Sequence, residues 1–125
     1  MSGLTLDAGA LIAFERNDRA IVLLLWNALR TKTPLAVPAG VVAQVWRDGR
    51  RQARLAKLLS APNLEVEPLD DFRAREAGQL CGVTGSADIV DASVVLCARR
   101  RRQKVATCDT ADLRRLDPAL DLLEI

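Results

Sequence analysis

The segment LTLDAGALIAFE, residues 4–15, has a short apolar run before Asp7 and an apolar pattern with loosely helical spacing after it. This pattern predicts a strand, an acidic turn and a helix. The segment KVATCDTADL, residues 104–113, repeats the arrangement, with Asp109 directly beyond the apolar run. Strands separated by helices imply a parallel sheet that is covered on both faces.

The rest of the chain extends this alternation. We predict one α/β domain over residues 1–125, with a central parallel sheet of about five strands flanked by helices on both faces. Ser86 is expected to cap a long apolar helix, and Trp26 and Trp46 are expected in the core or an interface. The predicted strands are 4–6, 34–37, 64–69, 104–107 and 120–125, and the predicted helices are 8–15, 19–29, 41–47, 51–59, 70–82, 86–101 and 110–116.

Composition narrows the possible chemistry. The chain contains no histidine, which excludes every Ser-His-Asp and Cys-His arrangement. Its three cysteines show no C-x-x-C spacing, which argues against zinc and favours reduced thiols in a cytoplasm. No apolar run approaches a membrane span, and the net charge of +2 is mild, so we expect a soluble cytoplasmic protein without a membrane partner.

Aspartates are concentrated where the predicted strands end. Asp7 and Asp109 each follow a strand, and ligands of open parallel sheets bind at this edge. Asp91 lies near the start of a helix, with Asp88 one turn earlier on the same face, while Asp112 suits a cap or first-turn acid. Clustered carboxylates repel one another unless cations neutralise them. The pattern therefore predicts a hydrolase that uses divalent metal ions. In phosphodiester hydrolysis such an ion would bind a phosphate oxygen and lower the pKa of an attacking water.

Four segments, taken in their order along the chain, resemble motifs of PIN domains, in particular the VapC-type toxins of toxin–antitoxin pairs. The resemblance implies that Asp7, Asp91 and Asp109 are catalytic and hold Mg²⁺ or Mn²⁺. It also implies ribonuclease activity on RNA, silencing by a cognate antitoxin protein, and a homodimer. The matching segments are LDAGALIA at 6–13, VPAGVVAQVWR at 37–47, DIVDA at 88–92 and ATCDTADL at 106–113.

The chain departs from that family at Gln44, where a glutamate is usual. An amide oxygen can ligate a cation but adds no charge, so such a site should bind metal less tightly. The substitution is tolerated, compensated by Asp88 or Asp48, or inactivating. The alternative function is accordingly a PIN scaffold that binds RNA or a protein partner without cleavage.

Basic residues supply candidate phosphate contacts. Arg47, Arg50, Arg51 and Arg54 follow the Gln44 helix and are candidates for RNA binding, although a solvated face is the simpler interpretation. A second basic run covers residues 99–104. With 3% aromatic residues, the chain shows no platform for stacking bases. A phosphoacceptor receiver domain would need adjacent acids after the first strand, and these are lacking.

Overall fold

The computed structural model describes residues 3–125, and the predicted parallel sheet is present. Its strand order is β3-β2-β1-β4-β5, and every pairing is parallel. In the centre, Leu6 of β1 is opposite Ala106 of β4. The strands are β1 (Leu4–Leu6), β2 (Leu35–Pro38), β3 (Leu64–Glu67), β4 (Lys104–Thr107) and β5 (Leu122–Glu124).

Helices separate the strands, and they pack in two groups. One group joins α1 to α2 and α4, the other joins α5, α6 and α7, and α3 contacts both α1 and α6. Every residue of β1 and β2 is buried, so both faces of the sheet centre are covered. The helices are α1 (Ala8–Glu15), α2 (Arg19–Arg30), α3 (Ala39–Val45), α4 (Ala53–Leu59), α5 (Asp71–Thr84), α6 (Ile89–Arg101) and α7 (Thr110–Leu116).

The start of α6 differs from the prediction. Its N-cap is Asp88, whose carboxylate accepts a hydrogen bond from the Asp91 amide at 2.9 Å, and not Ser86. The Ser86 hydroxyl instead accepts a hydrogen bond from the Asp88 amide. Aspartate and serine cap helices about equally well, so the sequence alone did not separate them. The preceding helix α5 also runs further than predicted, to Thr84, and its C-cap is Gly85, which has a φ of 76°.

A buried acid joins the edge strand β3 to neighbouring helices. Glu67 at the end of β3 is 4% exposed, and Arg100 of α6 donates a hydrogen bond to it at 2.7 Å. Arg101 donates a second bond at 3.4 Å, and Arg73 of α5 lies 3.8 Å away. Two arginines of the 99–104 basic run therefore join α6 to β3.

Both tryptophans lie at the surface and not in the core. Trp26 is 54% exposed on α2, and Trp46 is 37% exposed where α3 ends. Cys97 is buried, as its apolar context predicts, and Cys81, Cys97 and Cys108 are free thiols. Within residues 3–125 no single helix is long and apolar enough to cross a membrane; only α5 and α6 together, bent by 109°, pass on length and composition.

Candidate active site

Two of the predicted acids are neighbours because their strands are paired. The register of β1 on β4 continues beyond Leu6 and Ala106, which brings Asp7 beside Thr107. The Thr107 side chain hydrogen-bonds to Asp7, and its Oγ accepts a bond from the Asp109 amide at 2.9 Å. Thr107 is fully buried. One threonine hydroxyl thus joins the turns that carry Asp7 and Asp109.

Each of the strand-end acids also caps a helix. Asp7 accepts a hydrogen bond from the Ala10 amide at 2.8 Å at the start of α1, and Asp109 accepts one from the Asp112 amide at 3.3 Å at the start of α7. In each case the bond is to Oδ1. Both residues are therefore N-caps, and Oδ2 of each carboxylate lies outside the cap bond.

Asp91 stands in the first turn of α6, within the electrostatic reach of several other acids. Burial, as the largest cause, and the charges of Asp88, Asp112 and Asp7 together raise the pKa of Asp91 to about 7. The acids that act on Asp91 come from three different segments of the chain. The structure therefore brings the three predicted acid clusters together around α6.

The pKa values of Asp7 and Asp112 are raised as well. Burial raises the pKa of Asp7, with the charge of Asp109 acting in the same direction, while hydrogen bonds from Thr107 and Ala10 oppose the rise. Asp112 has a raised pKa chiefly because its carboxyl hydrogen-bonds to Asp109. These shifts show that the acids face one another without enough positive charge to balance them.

The donor chemistry fits a hard divalent cation, because carboxylate oxygens are the ligands that Mg²⁺ and Mn²⁺ prefer. The raised pKa values of Asp7, Asp91 and Asp112 are what an uncompensated cation site would produce. Among residues 3–125, however, no three His, Cys, Asp or Glu side chains stand close enough to form a ready set of ligands. Binding an ion therefore requires the side chains to turn toward it.

The other predicted site residues lie on α3 and in the segments that follow it. Gln44 is exposed on α3, and Asp48 is engaged locally, by the Arg50 amide at 3.0 Å and by Arg51 at 3.9 Å. Arg47 donates to the carbonyl oxygens of Ala43 and Trp46. Asp48 is thus held by the turn in which it lies.

Arg54 is placed at the far end of α1 from Asp7. Its guanidinium lies 5.1 Å from the centre of the Phe14 ring and donates to Asn17 at 3.1 Å. The eight residues of α1 span about 12 Å, and Asp7 caps the opposite end. Among the described residues, the arginine cluster 47–54 contributes no side chain to the cavity beside the acids.

That cavity is a feature that sequence reasoning missed. It has a volume of about 820 Å³ and lies between α7 and the segment that joins α5 to α6. Asp88, Asp91 and Asp112 line it, and so does Arg115. Arg115 follows Asp112 by three residues, a spacing that predicts both side chains on one face of α7. Nothing local indicated that this face borders a cavity.

Solved structures with the same fold cover nearly the whole chain. VapBC2 from Rickettsia felis, bound to a DNA fragment from its promoter, has a TM-score of 0.74 at 16% identity, covering 98% of each chain. FitAcB from Neisseria gonorrhoeae has a TM-score of 0.64 at 19% identity, covering 97% of this chain and 96% of that one. PAE2754 from Pyrobaculum aerophilum has a TM-score of 0.62 at 20% identity, covering 96% and 90%. At these identities the likeness is one of fold.

Sequence comparison gives the family directly. No curated protein matches this chain in sequence. Residues 4–118, nearly the entire chain, match the PIN domain family. Its five parallel strands, with acids at the ends of β1 and β4 and in the first turn of α6, agree with that match. The chain belongs to the PIN domain family.

Proposed function

We propose that this PIN domain is a metal-dependent endoribonuclease and the toxin of a cytoplasmic toxin–antitoxin pair. The observation that carries the proposal is that Asp7 lies within electrostatic reach of both Asp109 and Asp91, and that Asp7 and Asp91 have raised pKa values. Acids in that arrangement disfavour the metal-free site and favour a bound cation.

The chain's own residues would perform the following tasks. Asp7, Asp91 and Asp109 would hold one or two Mg²⁺ or Mn²⁺ ions, with Asp88 and Asp112 as further candidate ligands. Such an ion, when bound, neutralises phosphate charge and lowers the pKa of an attacking water. Thr107 would keep Asp7 and Asp109 in position, since its hydroxyl bonds to both turns.

The test is RNA cleavage by the purified protein. We expect cleavage with Mg²⁺ or Mn²⁺ and its loss with EDTA. We also expect Asp7→Asn to reduce the rate by about a hundredfold or more while retaining the helix cap, because asparagine caps as well as aspartate. Asp121→Asn is the matched control and should cleave normally. Asp121 directly precedes β5, so it lies at the amino ends of the strands, opposite to Asp7 and Asp109. Cleavage that is indifferent to EDTA and to Asp7→Asn would refute the proposal.

The second candidate is a PIN scaffold that binds RNA or a protein without cutting. It is favoured by one observation, the neutral Gln44 at the position of the usual acid. Gln44→Glu separates the two functions, because it restores a charged ligand on the exposed face of α3. Cleavage that first appears in Gln44→Glu, together with tighter Mn²⁺ binding, would favour the scaffold; a parent chain that already cleaves would exclude it.

Partners are part of the proposal. The VapBC2 structure contains a fragment of promoter DNA. We propose that this chain pairs with an antitoxin protein and forms a homodimer. Exposed apolar side chains support protein contacts, among them Trp26 at 54% and Phe72 at 67%. The homodimer is tested by the mass of the purified chain in solution, where a concentration-independent monomer would refute it.

A further inference from the structure

The cavity beside the acids has two walls. One wall is the segment from Thr84 to Asp88 with the first turn of α6, and the other is α7. Its volume of about 820 Å³ is within the range of pockets that enclose small-molecule ligands, roughly 300–1,000 Å³. The space therefore accommodates a short stretch of an extended chain beside Asp91.

Arg115 is the cation that faces this space. It is exposed, and within residues 3–125 its guanidinium makes no hydrogen bond or ion pair. Other arginines near acids do pair: Arg99 lies 2.9 Å from Asp117, and Arg100 lies 2.7 Å from Glu67. Arg115 still acts on its surroundings, since its charge opposes the rise in the pKa of Asp112. Its donors are free for a ligand.

The chemistry of the lining points to a sugar–phosphate chain. The residues that line the cavity include no aromatic side chain, so bases have no stacking surface there. Three of them are acids, which repel a polyanion unless a cation is present. A guanidinium offers a fork of N–H donors that matches phosphate oxygens. Arg115 is thus the side chain of this cavity suited to a phosphate.

We propose that Arg115 binds a backbone phosphate of single-stranded RNA lying in this cavity, and so positions the neighbouring phosphodiester at Asp91. This inference rests on the proposed ribonuclease function and names one of its substrate contacts. Arg115 is a positioning residue: it holds the strand and takes no part in bond breaking. Its loss should raise KM for RNA and leave kcat nearly unchanged.

The adjacent Arg114 provides a matched control. It is also exposed and lies on the same helix, but its Nη1 donates to the Pro118 carbonyl at 3.4 Å, and it does not line the cavity. Arg114→Gln and Arg115→Gln change the net charge equally. Both arginines are exposed, so both variants should fold, which thermal unfolding would verify.

Binding is measured separately from activity, in the Asp7→Asn background with Mg²⁺ and a fluorescent single-stranded RNA oligonucleotide, from about 50 to 200 mM salt. We expect Arg115→Gln to weaken binding by about tenfold and to reduce the slope of log K against log[salt] by about 0.7, as for one lost phosphate contact. Arg114→Gln should weaken binding by less than about twofold. Arg115→Lys should restore the salt slope and only part of the affinity.

The outcomes separate this inference from the function on which it rests. A parent chain that cleaves RNA, with equal binding losses in Arg114→Gln and Arg115→Gln, would overturn the role of Arg115 alone. A parent chain that neither cleaves RNA nor binds it with Mg²⁺ or Mn²⁺ would overturn both. A loss confined to Arg115→Gln, seen in KM and in the salt slope, would establish the contact.

Discussion

Thr107 is the residue on which the relative placement of Asp7 and Asp109 depends. Its hydroxyl is buried between the ends of β1 and β4 and serves both acids. Threonine is common in strands, so the residue type alone gives it no role at the site. The structure adds a second role, because the same buried hydroxyl that satisfies the Asp109 amide also bonds to Asp7. Such supporting contacts commonly affect metal affinity nearly as much as the ligands do.

Thr107→Val tests this role. The substitution keeps the shape but leaves the Asp109 amide without its partner, which should cost about 1–3 kcal/mol of unfolding free energy. We expect a fall in the RNA cleavage rate on the order of tenfold to a hundredfold. Thr107→Ser retains the hydroxyl and should recover most of both quantities. If Thr107→Val loses stability but cleaves at the parent rate, the residue is structural only.

Asp91 should make the metal-free protein sensitive to pH. Its pKa is raised in the fold from 3.8 to about 7, so folding favours the protonated carboxyl. The stabilising contribution is fully present below the ordinary pKa of 3.8 and is lost as the pH rises through about 7.

Urea unfolding in EDTA measures this effect. As the pH rises from ~4 to ~8, the parent should lose the contribution of Asp91 to its unfolding free energy. Asp91→Asn should not lose it, so its stability should fall less or rise more than that of the parent. Asp7 has a raised pKa as well, so Asp91→Asn should remove only part of the trend. Asp121→Asn should retain all of it. Identical pH profiles for the parent and Asp91→Asn would contradict the electrostatic picture of the site.

At the scale of elements, the start of α6 combines capping with the site's electrostatics. Asp88 caps the helix through the Asp91 amide, and its charge also raises the pKa of Asp91. The i, i+3 spacing predicts that Asp88 lies one turn before Asp91 on the same helix face. The cap position changes this: Asp88 lies outside the helix in extended backbone, and its carboxylate turns back over the first turn.

Two variants of Asp88 separate these roles. Asp88→Ala removes the cap and should cost about 1 kcal/mol, whereas Asp88→Asn keeps a good cap and removes only the charge. We expect Asp88→Asn to unfold like the parent and to bind Mn²⁺ less tightly by about threefold to tenfold, since one facing charge is lost. Calorimetric titration with Mn²⁺ measures the affinity. An unchanged Mn²⁺ affinity in Asp88→Asn would leave Asp88 as a cap alone.

At the scale of the whole molecule, Glu67 joins three elements. The buried acid at the end of β3 bonds to Arg100 and Arg101 of α6, and Arg73 of α5 lies beside it. Burial opposes the ionisation of Glu67, but Arg100 and Arg101 together outweigh burial and lower its pKa. Its contribution to stability is therefore present above the ordinary pKa of 4.5 and is lost as the pH falls below it.

Removing that charge should loosen the edge of the sheet. Glu67→Gln leaves Arg100 without its buried partner, and we expect a loss of about 3 kcal/mol in unfolding free energy. Glu65→Gln is the matched control. Glu65 is on the same strand, its side chain is 58% exposed, and it pairs with Arg101 at 3.2 Å, so the loss should be below about 1 kcal/mol. Equal losses of unfolding free energy in the two variants would show that the burial of Glu67 does not increase its contribution to stability.

Local pattern predicted most of the architecture and part of the site. Alternating apolar runs and helical spacing indicated five parallel strands with helices between them, and each predicted strand has a counterpart in the sheet. The boundaries were less accurate: α4 begins at Ala53 and not at Arg51, because Gln52 is drawn inward to bond to the Val45 carbonyl and to Glu15. Such long-range bonds leave no local signal.

The sequence by itself determined the alternation of strands and helices, the acids at the ends of β1 and β4, and a chemistry without histidine, since each depends on residue type and short spacing. Only the tertiary structure decided that Asp91 faces acids from three segments, that Thr107 joins Asp7 to Asp109, and that Arg115 borders the cavity beside them. The physical reason is range. Periodicity is set by neighbours within a turn or a strand, whereas burial and the field at a carboxylate are set by residues that packing brings together from distant parts of the chain.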